Sequence, residues 1–198
     1  MSDDGKANLF LHSYSTTHEP AVKFELFIDL QCPYSKVAFN NLKDSIPKHY
    51  GKKVDFSITV TALGFHYQAF EALVGGMIAQ KVSGKRSTFL DYISTVFEHQ
   101  ESIMNAACTD KNPAQIKQAV ADLACNLDGV TQEAYTAERN GEDGGWKYVV
   151  QANRMCKYAQ GRGVGSTPSM IVDGFLVPNT ESKWGLEEWK AKIDPFLA

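Results

Sequence analysis

Phe27-Ile28-Asp29-Leu30-Gln31-Cys32-Pro33-Tyr34-Ser35 joins two kinds of patterning in one short stretch. Upstream, the run from Val22 first alternates and then turns continuously apolar, as expected of a strand entering a sheet covered on both faces. Downstream, Ala38, Leu42 and Ile46 recur at i, i+4 with Val37 and Phe39 beside them, which predicts a helix over 33–46. Pro33 suits its first turn, where a missing N–H costs nothing. Val54 to Leu63 alternates again and is rich in β-branched residues, giving a second strand of the same sheet. The unit is strand, helix, strand.

Residues 65–160 change period. Tyr67, Phe70, Val74, Met77 and Ile78, then Phe89, Ile93, Val96 and Phe97, then Ile116, Val120, Leu123 and Leu127 recur at helical spacing, so three or four amphipathic helices are expected, with a last one over 145–160. Ser87 and Asn112-Pro113 are good helix starts, while Gly75-Gly76 reads as a weak point or break. Strands return at Met170-Ile171-Val172 and Phe175-Leu176-Val177, separated by Asp173-Gly174, a pair that favours a type I′ hairpin. A closing helix carries Leu186, Trp189 and Ile193. At the other end, Leu9-Phe10-Leu11 is a candidate edge strand. The expected order is β-α-β, a helical block, then β-β-α, an α/β fold with an all-α insertion: residues 1–64 and 161–198 form one discontinuous domain, and 65–160 the inserted one.

A cysteine where a buried strand meets a helix stands beside free backbone N–H groups and the positive end of the helix dipole. Both favour thiolate over thiol, and the thiolate is the nucleophile and leaving group of disulfide exchange. Ser35 lies one turn on from Cys32; its hydroxyl is within reach of the sulfur as a donor but cannot form a disulfide. Far along the chain, Gly163-Val164-Gly165-Ser166-Thr167-Pro168 leads into a strand, where a proline needs a local reason. A cis Thr167–Pro168 bond supplies one and leaves neighbouring backbone groups open to an extended peptide or a glutathione backbone.

The whole sequence of 198 residues has 20 basic and 23 acidic side chains, a net charge of -3, 43% apolar residues and four cysteines. That composition is globular, and four cysteines at this length are too few for a disulfide scaffold. Interspersed charge of slight acidic excess gives no footprint for nucleic acid or an anionic membrane, so neither is an expected partner. No basic leader followed by an apolar stretch is visible, and apolar runs are only a few residues long. The cytosol is the expected compartment, where unpaired thiols are buried or reactive.

With Cys-Pro-Tyr-Ser at 32–35, Leu63-Gly64-Phe65-His66 leading into helices, the helical block and Thr167-Pro168 before a strand and hairpin, the chain resembles the DsbA-like branch of the thioredoxin fold from Val22 to the C-terminus. The resemblance implies thiol–disulfide chemistry at Cys32, with Thr167 and Pro168 facing it across a substrate groove to which Pro33, Tyr34, Phe65 and His66 contribute. It departs at Ser35, where the oxidoreductases of that family usually carry a second cysteine, so a monothiol reaction with glutathione or protein disulfides is expected. Glutathione would be a co-substrate, with no tightly bound cofactor. Cys-Pro-Tyr-Ser is also similar to the Ser-Pro-Tyr-Ser motif of kappa-class glutathione transferases and chromene-carboxylate isomerases of the same architecture. A glutathione-dependent transferase or isomerase, or a peptide-binding module without turnover, are therefore the alternatives.

The remaining signals have plainer readings. Cys156 shares a helical face with Val149, Ala152 and Ala159, which marks a core thiol. Cys108 and Cys125 flank a turn and stay open as a pair, although spacing alone does not show it. The five histidines, at 12, 18, 49, 66 and 99, have neither i, i+4 pairing nor cysteine at zinc spacing, so no metal is expected. Gly161-Arg162-Gly163-Val164-Gly165 follows a helix and reads as a chain exit, not a phosphate loop. Tyr67, Phe70 and Met77 read as core, with Phe65 and His66 the better groove residues.

Overall fold

The computed structural model describes residues 12–13 and 22–197. Its five-stranded sheet has the order β1-β3-β2-β4-β5, with β1 at His12–Ser13, β2 at Val22–Asp29, β3 at Val54–Thr61, β4 at Ser169–Val172 and β5 at Phe175–Leu176. β2 and β3 are parallel, in register from Val22 opposite Val54 to Asp29 opposite Thr61, and every other pairing is antiparallel. The Leu9-Phe10-Leu11 patch lies outside the described residues.

Alternation along the central strand sorts the two faces. Phe24, Leu26 and Ile28, with Phe56, Ile58 and Val60 beside them on β3, join the core under helices α1 (Pro33–Leu42) and α8 (Leu186–Ile193). There the Phe24 ring lies 4.8 Å from that of Trp189. Phe27 points the other way and packs with Ile171 against Ala159 and Val164, under the C-terminal end of α7 (Trp146–Gly161). β2 is thus covered on both faces, which is why its polar residues need partners inside the protein.

The helix expected over 33–46 stops at Leu42, and a short second one, α2 (Ser45–Tyr50), begins after Asp44. Pro47 explains the break: it has no N–H for the carbonyl four residues back, and its ring crowds that turn. Restarting at Ser45 puts Pro47 in a first turn, where neither matters. Ile46 and Tyr50 still reach the core.

Between β3 and β4 stand α3 (Ala69–Ser83), α4 (Thr88–Glu98), α5 (Pro113–Ala124), α6 (Gln132–Arg139) and α7. α5 begins as expected, with a capping box between Asn112 and Gln115 and Pro113 in the first turn. Gly75-Gly76 does not break α3. A Cβ at Gly75 would come within 2.2 Å of Val120 Cγ1 on α5, and one at Gly76 within 2.6 Å of the Tyr92 ring on α4. The two glycines let three helices approach closely, and tight packing offsets their poor helix propensity. The β4–β5 turn is the expected hairpin: Asp173 and Gly174 both have positive φ, 48° and 91°, as a type I′ turn requires.

Candidate active site

Cys32 is the N-cap residue of α1, in extended conformation with φ −77° and ψ 116°, and Pro33 opens the helix. No acidic side chain occupies the first turn of α1. The residue is 4% exposed. Its thiol donates a hydrogen bond to the Thr167 carbonyl oxygen, 3.2 Å away, which brings together two motifs separated by most of the chain. The Thr167–Pro168 peptide is cis, as expected. Thr167 is buried and Pro168 half-buried, and β4 starts immediately after them.

Ser35 has a partner the sequence did not suggest: its hydroxyl is fully buried and accepts a hydrogen bond from the Asp29 backbone N–H at 3.2 Å. The register of the helix causes this. Ser35 lies on the side of α1 that faces the sheet, together with Ala38, Phe39 and Leu42, so its oxygen meets the end of β2.

Asp29 was not foreseen as part of the site, yet it organises the strand end. Its fully buried carboxylate accepts from the backbone N–H groups of Gln31 and Leu63, each at 2.7 Å, and His66 Nδ1 lies 3.0 Å from Oδ2. Its own carbonyl accepts the Cys32 N–H at 3.0 Å. A buried carboxyl group needs such partners, and here they tie together the loops at the start of α1 and the end of β3. One acidic residue inside the run Leu26 to Leu30 was the available signal.

Four amides complete the arrangement. Gln31 donates from Nε2 to Gln68 Oε1 and to the Ile103 carbonyl, with Asn105 Oδ1 sharing these protons at 3.2 Å, and its Oε1 accepts from the Gln68 N–H. Gln100 Nε2 donates to the carbonyls of Leu30 and Cys32. Asn105 binds the backbone on both sides of His66. These residues come from separate segments with no shared period, so only folding brings them together.

Exposed aromatic side chains form a rim on these loops: Tyr34 is 65% exposed next to exposed Pro33, and Phe65 63% and Tyr67 75% on the loop that Asn105 ties to Gln31. Of the stripe read as core, Met77 is buried and Phe70 half-buried, but Tyr67 belongs with Phe65 on this rim. His66 is half-buried behind them, edge-on to the Phe65 ring at 4.4 Å.

The other three cysteines are free. Cys156 is buried with Ala152 and Met155 as expected. Cys108 and Cys125 do not form a disulfide: Cys108 Sγ faces the Ser102 carbonyl at 3.8 Å and Cys125 Sγ the Gln132 Oε1 at 3.5 Å. Burial, with Asp122 and Glu133 nearby, pushes the Cys125 thiol up from its ordinary pKa. Among the described residues no cluster of three or more His, Cys, Asp and Glu side chains could hold a metal ion, and no helix is long and apolar enough to cross a membrane.

The family model described as Thioredoxin matches residues 17–195. No curated protein sequence matches. Among solved structures, a putative protein-disulfide isomerase from Pseudomonas syringae superposes with a TM-score of 0.73 at 18% identity, covering 93% of this chain and 97% of that one. MdbA of Corynebacterium diphtheriae, a thiol-disulfide oxidoreductase, gives 0.62 at 18%, covering 85% and 83%. Alpha-DsbA1 of Wolbachia pipientis gives 0.63 at 14%, covering 94% and 91%. At these identities the likeness establishes the fold, a thioredoxin-like one with inserted helices. The cytosolic expectation is corrected by the same neighbours, which are DsbA-type proteins, typically periplasmic or extracytoplasmic. The lack of a visible leader was too thin a basis for it.

Proposed function

This chain belongs to the thioredoxin family, and from that premise we propose that it is a thiol–disulfide oxidoreductase acting through one nucleophile, Cys32, on disulfides of proteins or of glutathione. The observation that carries the reading is the meeting of the Cys32 thiol at the N-terminus of α1 with the Thr167 carbonyl beside the cis peptide bond. In this reading an electrophilic disulfide lies along the edge next to Pro168, where backbone groups near Thr167 align it with the sulfur.

The reaction has two exchanges. Cys32 thiolate attacks one sulfur of R–S–S–R′; the S–S bond breaks, a Cys32–S–S–R bond forms, and R′S⁻ leaves and takes a proton from solvent. With serine at position 35, the second exchange is made by an external thiol, of glutathione or of a protein, which attacks the R sulfur and returns Cys32 as thiolate. No net oxidant is consumed. Glutathione is in this scheme a co-substrate and the protein needs no bound cofactor.

The reduced protein, incubated with oxidised glutathione and weighed intact, should gain one glutathionyl group, and Cys32→Ser should gain none. A wild type that gains nothing while both forms bind reduced glutathione would turn the reading to a glutathione-dependent transferase or isomerase. Peptide binding with neither exchange nor turnover would leave a binding module.

A further inference from the structure

Asn105 holds the backbone of the aromatic rim with both ends of its amide. Nδ2 donates to the Phe65 carbonyl at 2.8 Å, and Oδ1 accepts from the Tyr67 N–H at 3.1 Å. The same Oδ1 accepts from Gln31 Nε2 at 3.2 Å, and Gln31 is the residue before the nucleophile. One half-buried side chain from the turn after Gln100–Ile103 therefore fixes where Phe65 and Tyr67 stand relative to Cys32. The two rings are more than half exposed, an apolar surface that the core does not use, on a loop tied through Asn105 to the residue before the thiol.

We infer that Asn105 is a positioning residue that makes this site select polypeptide disulfides over small ones, by holding Phe65 and Tyr67 as a platform for apolar side chains flanking the reacting cysteine of the substrate. The inference rests on the exchange chemistry proposed above. Glutathione has no apolar side chain beside its sulfur and reaches Cys32 without the platform. A peptide disulfide with aromatic residues next to its cysteine gains contacts with both rings, provided their loop keeps its place. Asn105 touches neither the substrate nor the sulfur; it acts through the rim.

The test is the rate of mixed-disulfide formation at Cys32, followed by quench and intact mass, with two probes: oxidised glutathione and a peptide disulfide carrying phenylalanine on each side of its cysteine. In Asn105→Ala the half-saturating peptide concentration should rise about tenfold, the worth of one or two lost hydrogen bonds, so that the ratio of peptide to glutathione reaction falls by about the same factor. In a Phe65→Ala, Tyr67→Ala background, Asn105→Ala should change the peptide reaction no further. If Asn105→Ala does not fold, Asn105→Asp carries the test: its carboxylate oxygen opposes the Phe65 carbonyl instead of donating to it, so the ratio of peptide to glutathione reaction should fall at least as far. Equal loss for both probes, no loss for the peptide, or an undiminished effect without the two rings each overturns the role of Asn105. A wild type that forms no Cys32 adduct with either probe overturns the exchange reading, and this inference with it.

Discussion

The Cys32 thiol donates to the Thr167 carbonyl oxygen across 3.2 Å, joining the start of α1 to the segment that enters β4. Serine at position 32 keeps a donor for that oxygen, whereas alanine leaves the carbonyl to solvent or unpaired. Cys32→Ala should lower unfolding free energy by about 1 kcal/mol and Cys32→Ser by less, as read from urea denaturation. Equal stability of the two variants would show that the contact contributes nothing.

Position 35 separates structure from chemistry. Ser35→Ala removes the acceptor of the buried Asp29 N–H and should cost about 1–3 kcal/mol, while adduct formation at Cys32 persists. Ser35→Cys supplies a second thiol one turn from the first. Its glutathione adduct should decay without added thiol as the new cysteine attacks Cys32 sulfur and expels glutathione; a persistent adduct would mean that the buried orientation of this side chain prevents attack.

Helix contact at Gly75 is testable by one methyl group. Gly75→Ala should destabilise by about 1–3 kcal/mol, because its Cβ meets Val120 at 2.2 Å and both helices must shift. Gly161→Ala, where a Cβ meets nothing within 4 Å at the end of α7, should be neutral or slightly stabilising. Urea melts of the pair distinguish a packing requirement from a general sensitivity to alanine.

Glu138 gives the stability an acid limb. Hydrogen bonds from Lys147, whose Nζ lies at 2.6 Å, and from the Tyr148 hydroxyl hold its carboxyl below the ordinary 4.5. A pKa depressed in the folded state adds stability that is present above the unfolded value and disappears as pH falls through the folded one. Glu138→Gln should therefore be less stable than wild type at pH 7, with the difference closing below about pH 4.5. A pH-independent gap in Tm would assign the loss to packing.

Tyr158 titrates at the other extreme. Burial first, and then its hydrogen bond to Glu25, push the phenol up to about 12. Its contribution to stability is full below the ordinary value of 10.0 and is lost as pH rises through about 12. In tyrosinate absorbance, Tyr158→Phe should remove a step near pH 12; a step removed near 10 would contradict the burial of this hydroxyl.

The sequence carried the parts of this fold that depend on local pattern. The two parallel strands, the helix start at Pro33, the capped start of α5 and the Asp173-Gly174 turn each follow from period or from one residue's backbone limits. Failures came where distant neighbours decide. Pro47 moved a helix boundary because its missing N–H matters only in a helix interior, and Gly75-Gly76 looked like a break because Val120 and Tyr92 cannot be seen from α3 alone. At the site, Cys32, Thr167 and Pro168 were legible as a pair of motifs. Asp29, Gln31, Gln100 and Asn105 were not, since polar residues reveal a shared burial only after the chain has brought them together.

The buried hydroxyl of Ser35 also sets a clock. Under the proposed cycle, the covalent complex at Cys32 ends only when a thiol arrives from outside, so its lifetime varies inversely with the concentration of free thiols around the protein. The fraction of molecules still carrying a partner then records how reducing their surroundings have been, a chemical memory that a second cysteine in the motif would erase within each encounter.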